Sequence, residues 1–193
     1  MSGHKFDPAQ LERLDNPQRR AVLPPQQVIQ AIGVDKSQVW ADIGCGAGYF
    51  SLPLADVVDK VYAFDISEQM LAKLQAKLAE NRVTNVSVQK SAESVIPLPR
   101  SSVDGVLLAL VVHELNEPEQ MLPKIAGLLK TAGRLIIIEW VNKPTKMGPP
   151  VHHRLSTEQI DAWALSAGLE KMRTLPWADM FVLLEYGKKQ PEI

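Results

Sequence analysis

Short apolar runs alternate with longer stretches of helical periodicity along most of this sequence. Each run is rich in Val, Ile, Leu and Ala and is bounded by Gly, Asp, Asn or another polar turn residue. The runs predict five strands, at residues 39–43, 61–65, 86–89, 103–109 and 134–139. Strands that alternate with helices build mostly parallel sheets, because a parallel connection needs a crossover, usually a helix. The pattern therefore predicts an α/β fold.

Three segments carry apolar residues at spacings of three and four, which is the periodicity of an amphipathic helix. They are residues 67–78, 118–129 and 156–167. Gly133 follows the second segment and Gly168 follows the third, where a glycine commonly closes a helix. We therefore expect helices between the strands.

The last part of the sequence departs from this alternation. Residues 170–175 and 180–186 are two strand-like runs joined by turn-forming residues at 176–179, which predicts an antiparallel hairpin. A mostly parallel sheet that ends in a reversed edge strand is an allowed mixed sheet. The hairpin is therefore compatible with the sheet that the other strands form.

Residues 1–35 precede the first strand and contain two short helical patterns, at 9–14 and 26–32. This extension is too short for a second domain, and a chain of 193 residues matches one domain of ordinary size. We therefore expect a single domain over residues 1–193.

The composition and charge narrow the function classes. Hydrophobic residues make up 46% of the chain and charged residues 22%, with a net charge of -1, which indicates a globular protein and gives no expectation of nucleic-acid binding. The single cysteine, Cys45, cannot form an internal disulfide, so we expect a reducing, cytoplasmic setting. The sequence shows neither a membrane-length apolar run nor the apolar stretch of a secretory leader, so we expect no membrane association.

A glycine-rich turn is the main candidate for a ligand-binding site in this sequence. The first predicted strand runs into Gly44, Gly46 and Gly48, and a helical stretch follows. Glycine allows positive φ and has no Cβ to block a ligand, and the following helix start offers backbone amides. The next strand ends at Asp65, 23 residues after Asp42, where a carboxylate can accept both hydroxyls of a ribose.

A dinucleotide-binding oxidoreductase is the nearest rival reading of this turn. Its fingerprint is G-x-G-x-x-G, and here Tyr49 takes the place of the last glycine. The acidic Asp42 at the strand end favours a cationic ligand that carries an α-amino group and repels a pyrophosphate. A nicotinamide oxidoreductase therefore stays as the less favoured alternative.

Residues 42–48 read D-x-G-x-G-x-G and resemble the first motif of the class I S-adenosylmethionine-dependent methyltransferases. Asp65 resembles the ribose-binding acid of that family, and residues 91–93 with 96–99 resemble its third motif, which contacts adenine. Residues 103–106 and then 110–114 resemble its fourth strand and the loop that faces methionine and substrate. The resemblance covers about residues 36–186. It implies a three-layer, Rossmann-like, seven-stranded and mostly parallel sheet that ends in an antiparallel hairpin.

The resemblance also implies S-adenosylmethionine as cofactor, S-adenosylhomocysteine as product and a methyltransferase activity (EC 2.1.1.-). The cofactor-binding residues that it implies are Asp42, Gly44, Cys45, Gly46, Gly48, Asp65, Ile66, Ser91, Ala92, Glu93 and Leu110. In this class N-terminal extensions often fold over the cofactor, so residues 1–35 are expected to form a lid, or else a terminal helix that covers apolar surface. The loop at residues 143–154 is expected to complete the substrate pocket.

Methyl transfer from a sulfonium is an in-line displacement that needs alignment, and it needs a base only when the nucleophile starts protonated. His113 follows the fourth predicted strand and is the candidate base, or else a residue that orders the loop through local hydrogen bonds. Glu114 and Glu139 lie near strand ends, where a carboxylate binds a cationic substrate, orients His113 or serves the structure alone. The four histidines lack ligand spacing, so no metal site is expected.

The acceptor is left open by these motifs, although some classes are demoted. The segment after the fourth strand lacks the Asn-Pro-Pro-Tyr type motif of amino-methylating relatives, and one cysteine is too few for arsenic methylation. The compact chain carries no evident RNA- or protein-recognition domain, so we expect a small-molecule acceptor. A non-catalytic module that binds S-adenosylmethionine is the alternative from another class.

Overall fold

The computed structural model describes residues 16–92 and 95–188. The helices are α1 (Pro17–Val22), α2 (Pro25–Ile32), α3 (Ser51–Ala55), α4 (Glu68–Glu80), α5 (Pro118–Leu128) and α6 (Thr157–Ser166). The strands are β1 (Val39–Ile43), β2 (Lys60–Asp65), β3 (Val86–Lys90), β4 (Val103–Ala109), β5 (Leu129–Trp140), β6 (Leu169–Trp177) and β7 (Phe181–Lys188). Short 3-10 turns lie at Val112–Glu114 and Val151–His153.

The strands form a seven-stranded sheet in the order β3-β2-β1-β4-β5-β7-β6. The pairs β1–β2, β2–β3 and β4–β5 are parallel, whereas β7 runs antiparallel to both β5 and β6. The predicted Rossmann-like α/β fold with an antiparallel C-terminal hairpin is therefore confirmed.

The described residues fall into two compact units, which divide between Pro97 and Leu98. In the N-terminal unit, α4 packs its apolar stripe on the sheet, because leucines three and four positions apart lie on one helical face. Ser67 begins this helix by accepting a hydrogen bond from the Met70 amide. The buried cluster that results contains Cys45, Ala63, Leu71, Leu74 and Leu78.

The C-terminal unit is built on β4 and β5, whose central residues are buried, as expected for strands covered on both faces. Helix α6 begins with a capping box, in which the Ser156 and Gln159 side chains each accept a backbone amide of the other residue. Tyr186 on β7 donates to Asp161 on this helix at 2.7 Å. The hydrogen bond fastens the hairpin to α6.

The start of β5 differs from the prediction. Helix α5 ends at Leu128 and the strand begins at once, so Gly133 lies inside β5 and does not close the helix. Val103 pairs with Leu129, while Gly105 pairs with Arg134, so several residues of β5 bulge out of the ladder. The apolar pattern alone does not signal such a bulge.

The N-terminal helices and the hairpin turn also refine the prediction. Helix α1 was not predicted, because six residues are too few for a periodicity, and the pattern at 9–14 lies outside the described residues. The turn of the hairpin is shorter than expected, since Pro176 and Trp177 belong to β6. Proline is tolerated there because β6 is an edge strand.

No helix in the described ranges is both long and apolar enough to cross a membrane.

Candidate cofactor and active site

The glycine-rich turn folds back onto the end of β2. The amides of Gly44 and Cys45 both donate to the carbonyl oxygen of Phe64, at 2.7 and 2.9 Å. Gly44, Gly46 and Gly48 have φ angles of 74°, 53° and 85°, a region in which only glycine avoids strain. These backbone angles explain why the turn needs glycine at all three positions.

Two of these glycines differ in their surroundings. A Cβ on Gly48 would overlap the side chains of Leu52 and Leu74, so this glycine permits close packing of the turn against the core. Among the described residues, no atom lies within 4 Å of a Cβ built on Gly46. The turn is therefore packed on one side and open beside Gly46, as a ligand-binding turn requires.

Asp65 is tied to this turn by its side chain. One carboxylate oxygen accepts the Gly46 amide at 2.8 Å, and the other accepts the Ser67 amide at 2.8 Å. The Ser91 amide donates to the backbone oxygen of Asp65 at 3.0 Å. The structure thus brings together Gly46, Asp65 and Ser91, and it fixes a carboxylate that still has lone pairs for two ribose hydroxyls.

Apolar surface lies near the same strand ends. Ile66 is 45% exposed and follows β2, while Val95 is 58% exposed and follows β3. Ala92 and Val95 exchange two backbone hydrogen bonds, of 3.3 and 3.1 Å, and Glu93 between them lies outside the described residues. Val95 lies between the two stretches that resemble the third motif and was not named as a candidate, because its only signal is an apolar residue within a polar turn. Such apolar surface suits the face of a purine.

Asp42 is buried next to the turn, with 2% of its surface exposed. Its carboxylate accepts the Ser51 hydroxyl at 2.5 Å. Burial raises the pKa of Asp42 to about 7, and the negative charge of Asp65 acts in the same direction, while the Ser51 hydrogen bond opposes the rise. The ionised form of Asp42 is therefore costly in the free protein and favours a nearby cation.

Asp42→Asn is expected to stabilise the free protein at alkaline pH. The pKa rises from 3.8 in its ordinary state to about 7 in the fold, so the folded state binds more protons and wild-type stability falls as pH rises between these values. Asparagine keeps an acceptor for Ser51 and removes the charge. We expect a gain of roughly 2 to 4 kcal/mol near pH 8 and little near pH 4, in urea unfolding. An equal change at both pH values would contradict this role of the charge.

The surroundings of Cys45 and Tyr49 favour a packing role over a reactive one. The Cys45 thiol is buried in the apolar cluster of the N-terminal unit, and burial raises its pKa well above the ordinary value. The Tyr49 hydroxyl donates to the Leu23 carbonyl at 2.8 Å, and the Arg19 guanidinium lies 4.3 Å from the centre of its ring. Both side chains serve packing, and Tyr49 connects the glycine turn to α1.

In the C-terminal unit, Leu110 follows β4 with a φ of 61°, which is strained for a residue with a Cβ. Its amide donates to the Ile138 carbonyl at 2.8 Å, so β5 holds it in place. Its backbone geometry leads into the turn that carries His113. Its assignment to the cofactor site stays a prediction.

His113 and Glu139 form a buried pair, with their side chains 8% and 1% exposed. Nδ1 of His113 lies 2.9 Å from both carboxylate oxygens of Glu139. The same carboxylate accepts the backbone amides of His113 and Trp140, each at 3.1 Å. With Nδ1–H donated to Glu139, the lone pair of His113 lies on Nε2, 3.9 Å from the nearer carboxylate oxygen of Glu114.

The charges around His113 set its titration. Burial alone lowers the pKa of His113, but the charge and hydrogen bond of Glu139, together with the charge of Glu114, outweigh burial and raise the pKa above its ordinary value. The charge of Arg154 opposes this rise. Glu139 therefore orients the imidazole and favours its protonated form, which are two properties of a general base with a carboxylate partner.

Among the residues that the structure describes, no group of three or more His, Cys, Asp or Glu side chains is placed to hold a metal ion.

The sequence pointed to both members of the His113–Glu139 pair but left open whether they contact each other. It marked Arg154 only as the end of a loop.

The chain is similar to a methyltransferase family and to a solved methyltransferase structure. The family model described as a methyltransferase domain matches residues 41–137. The crystal structure of a SAM-dependent methyltransferase from Aquifex aeolicus is 30% identical, with a TM-score of 0.89, and the alignment covers 95% of this chain and 99% of that chain.

Two curated relatives are shorter matches. A demethylmenaquinone methyltransferase from Renibacterium salmoninarum is 29% identical over 122 residues, which cover 63% of this chain and 48% of the relative. Another from Geobacillus sp. is 24% identical over 133 residues, which cover 67% of this chain and 56% of the relative. The chain therefore spans about half the length of these curated relatives.

Proposed function

Since this chain belongs to the class I S-adenosylmethionine-dependent methyltransferases, we propose that it transfers a methyl group to a small-molecule acceptor with His113 as the base. The observation that carries the role of His113 is its hydrogen bond to Glu139, which leaves the lone pair on Nε2. The small-molecule acceptor is supported by the curated relatives, whose names give demethylmenaquinone as their substrate.

The residues of the N-terminal unit suit the cofactor. Asp65 is held in one orientation by two backbone amides and would accept the ribose hydroxyls. The open side of Gly46 would admit the ligand, and Ile66 with Val95 would cover the adenine. The buried charge of Asp42 would favour a cationic ligand. When bound, S-adenosylmethionine supplies an electrophilic methyl group on a positively charged sulfur.

The proposed chemistry of the C-terminal unit is proton removal. Nε2 of His113 takes the proton from a hydroxyl group or from an acidic C–H group of the acceptor. The freed electron pair forms the new bond to the methyl group. The sulfur of bound S-adenosylmethionine would keep the electron pair of the carbon–sulfur bond, which would make S-adenosylhomocysteine the leaving group. Glu139 keeps Nδ1–H in place and stabilises the imidazolium while it carries the proton.

The test is an acceptor screen that measures S-adenosylhomocysteine. The purified protein is incubated with S-adenosylmethionine and a panel of hydroxylated aromatic compounds, among them reduced demethylmenaquinone, and methylated products are identified by mass spectrometry. We expect product formation that depends on one acceptor class. Saturable cofactor binding without product from any acceptor would favour the non-catalytic binding module.

A further inference from the structure

Arg154 is a buried arginine at the end of the segment that follows β5, and only 7% of its surface is exposed. We call residues 141–154 the strap. The guanidinium lies inside the strap and donates to backbone carbonyls along it. The acceptors are the carbonyl oxygens of Lys143 at 2.8 Å, Pro149 at 2.9 Å, Val141 at 3.1 Å and Met147 at 3.2 Å.

The strap needs such a donor because it has little regular structure of its own. Its three prolines have no amide hydrogen, and its regular structure is confined to one 3-10 turn at its end. Residues 141–150 are half-buried or exposed, so no core encloses this part of the strap, and the guanidinium at its centre ties four of its carbonyls together. A guanidinium suits this position because it carries five N–H groups in one plane, whereas a lysine has three on a single atom.

The strap is fastened to the residue that follows Glu139. Gly148 has a φ of 101°, and a Cβ on it would lie 2.7 Å from an atom of the Trp140 ring, so only glycine allows this approach. The guanidinium carbon of Arg154 lies 5.4 Å from the centre of the same ring. The backbone amide of Trp140 is bound by the carboxylate of Glu139, which also binds His113.

These contacts join the strap to the His113–Glu139 pair through one tryptophan. We propose that Arg154 is a positioning residue of the acceptor site, which holds the strap against Trp140 so that it forms a fixed wall beside the His113–Glu139 pair. The proposal rests on the proposed function, because the acceptor site is placed where His113 acts as base. The charge of Arg154 also acts on His113, as do those of Glu139 and Glu114.

The experiment compares Arg154→Gln and Arg154→Lys with Arg173→Gln as the matched control. Arg173 is bonded to Glu185 on β7, so its replacement removes an arginine hydrogen bond of the same unit outside the strap. The measurements are amide hydrogen exchange of peptides from residues 141–153, the His113 pKa by NMR titration, and the rate at which diethyl pyrocarbonate modifies His113, read by mass spectrometry.

In Arg154→Gln we expect faster exchange of the strap, a higher His113 pKa because a positive charge is lost, and roughly tenfold faster modification of His113 at matched ionisation. Arg154→Lys keeps the charge, so it should restore the His113 pKa but only part of the exchange protection. Arg173→Gln should leave all three unchanged. Unchanged exchange and unchanged His113 modification in a folded Arg154→Gln protein would overturn the proposal.

None of these measurements uses turnover, so they separate the strap from the proposed base. If the strap loosens as expected while His113→Ala retains full activity, the proposed base fails and the acceptor site loses its placement, whereas the finding that Arg154 holds the strap beside His113 stands. If Arg154→Gln does not fold, the lysine variant carries the test, because its partial exchange protection is predicted and full protection would overturn the role of the guanidinium.

Discussion

His113→Ala is expected to lower turnover by roughly 10² to 10⁴-fold, while the affinity for S-adenosylmethionine changes little. The variant removes Nε2, the atom proposed to take the proton, and leaves the glycine turn and Asp65 intact. Turnover is measured as S-adenosylhomocysteine formation with the acceptor found by the screen, and affinity by calorimetry. Normal turnover in this variant would rule out an essential base at this position.

Glu139→Gln tests the base through its carboxylate partner, because glutamine keeps the shape of the Glu139 side chain and removes its negative charge. The negative charge raises the pKa of His113, so its loss should lower that pKa. A base acts in its deprotonated form, so activity rises with pH through the His113 pKa, and this rise should move to lower pH in the variant. A purely structural pair would lose stability in Glu139→Gln without this displacement of the pH profile.

Asp65→Ala is expected to weaken binding of both S-adenosylmethionine and S-adenosylhomocysteine by roughly 1.5 to 3 kcal/mol, or about 10 to 150-fold. The variant removes the acceptors proposed for the ribose hydroxyls and releases the amides of Gly46 and Ser67. Calorimetric titration of the folded variant measures the loss.

Two controls accompany Asp65→Ala. Asp104→Ala removes a carboxylate that pairs with Lys130 at the surface, and we expect it to leave cofactor affinity unchanged. Asp65→Asn keeps one acceptor oxygen and should bind with intermediate affinity. If Asp65→Ala binds as tightly as the wild type, Asp65 does not contact the ribose.

The sequence predicted most of the fold, because the strands that lie inside the sheet are apolar and are bounded by turn residues. The limits of β1 and β4 agree with the prediction for this reason. The contact between Gly46 and Asp65 was also foreseeable, since neighbouring parallel strands end at the same edge and Ile43 pairs with Phe64.

The same rule explains why His113 and Glu139 lie near each other in space. Ala109 pairs with Ile138, so the residues that follow β4 lie beside the end of β5. The sequence contains both residues, but the hydrogen bond depends on the turn after β4, where the strained Leu110 has no glycine to mark it. Side-chain direction after a strained residue is set by tertiary contacts and not by periodicity.

The hydrogen bonds of Arg154 were not predictable from the sequence. Its partners are backbone carbonyls, which every residue type supplies, so no pattern of side chains marks them. The approach of Gly148 to Trp140 likewise depends on a backbone angle within a loop. Loops of this kind are defined by individual hydrogen bonds rather than by an alternating pattern.

The most direct test of the account is calorimetric titration of the purified protein with S-adenosylmethionine, S-adenosylhomocysteine and NAD. The account predicts saturable binding of both adenosyl ligands at one site per chain and no binding of NAD. Absence of binding by both adenosyl ligands in a demonstrably folded protein, or preferential binding of NAD, would contradict it.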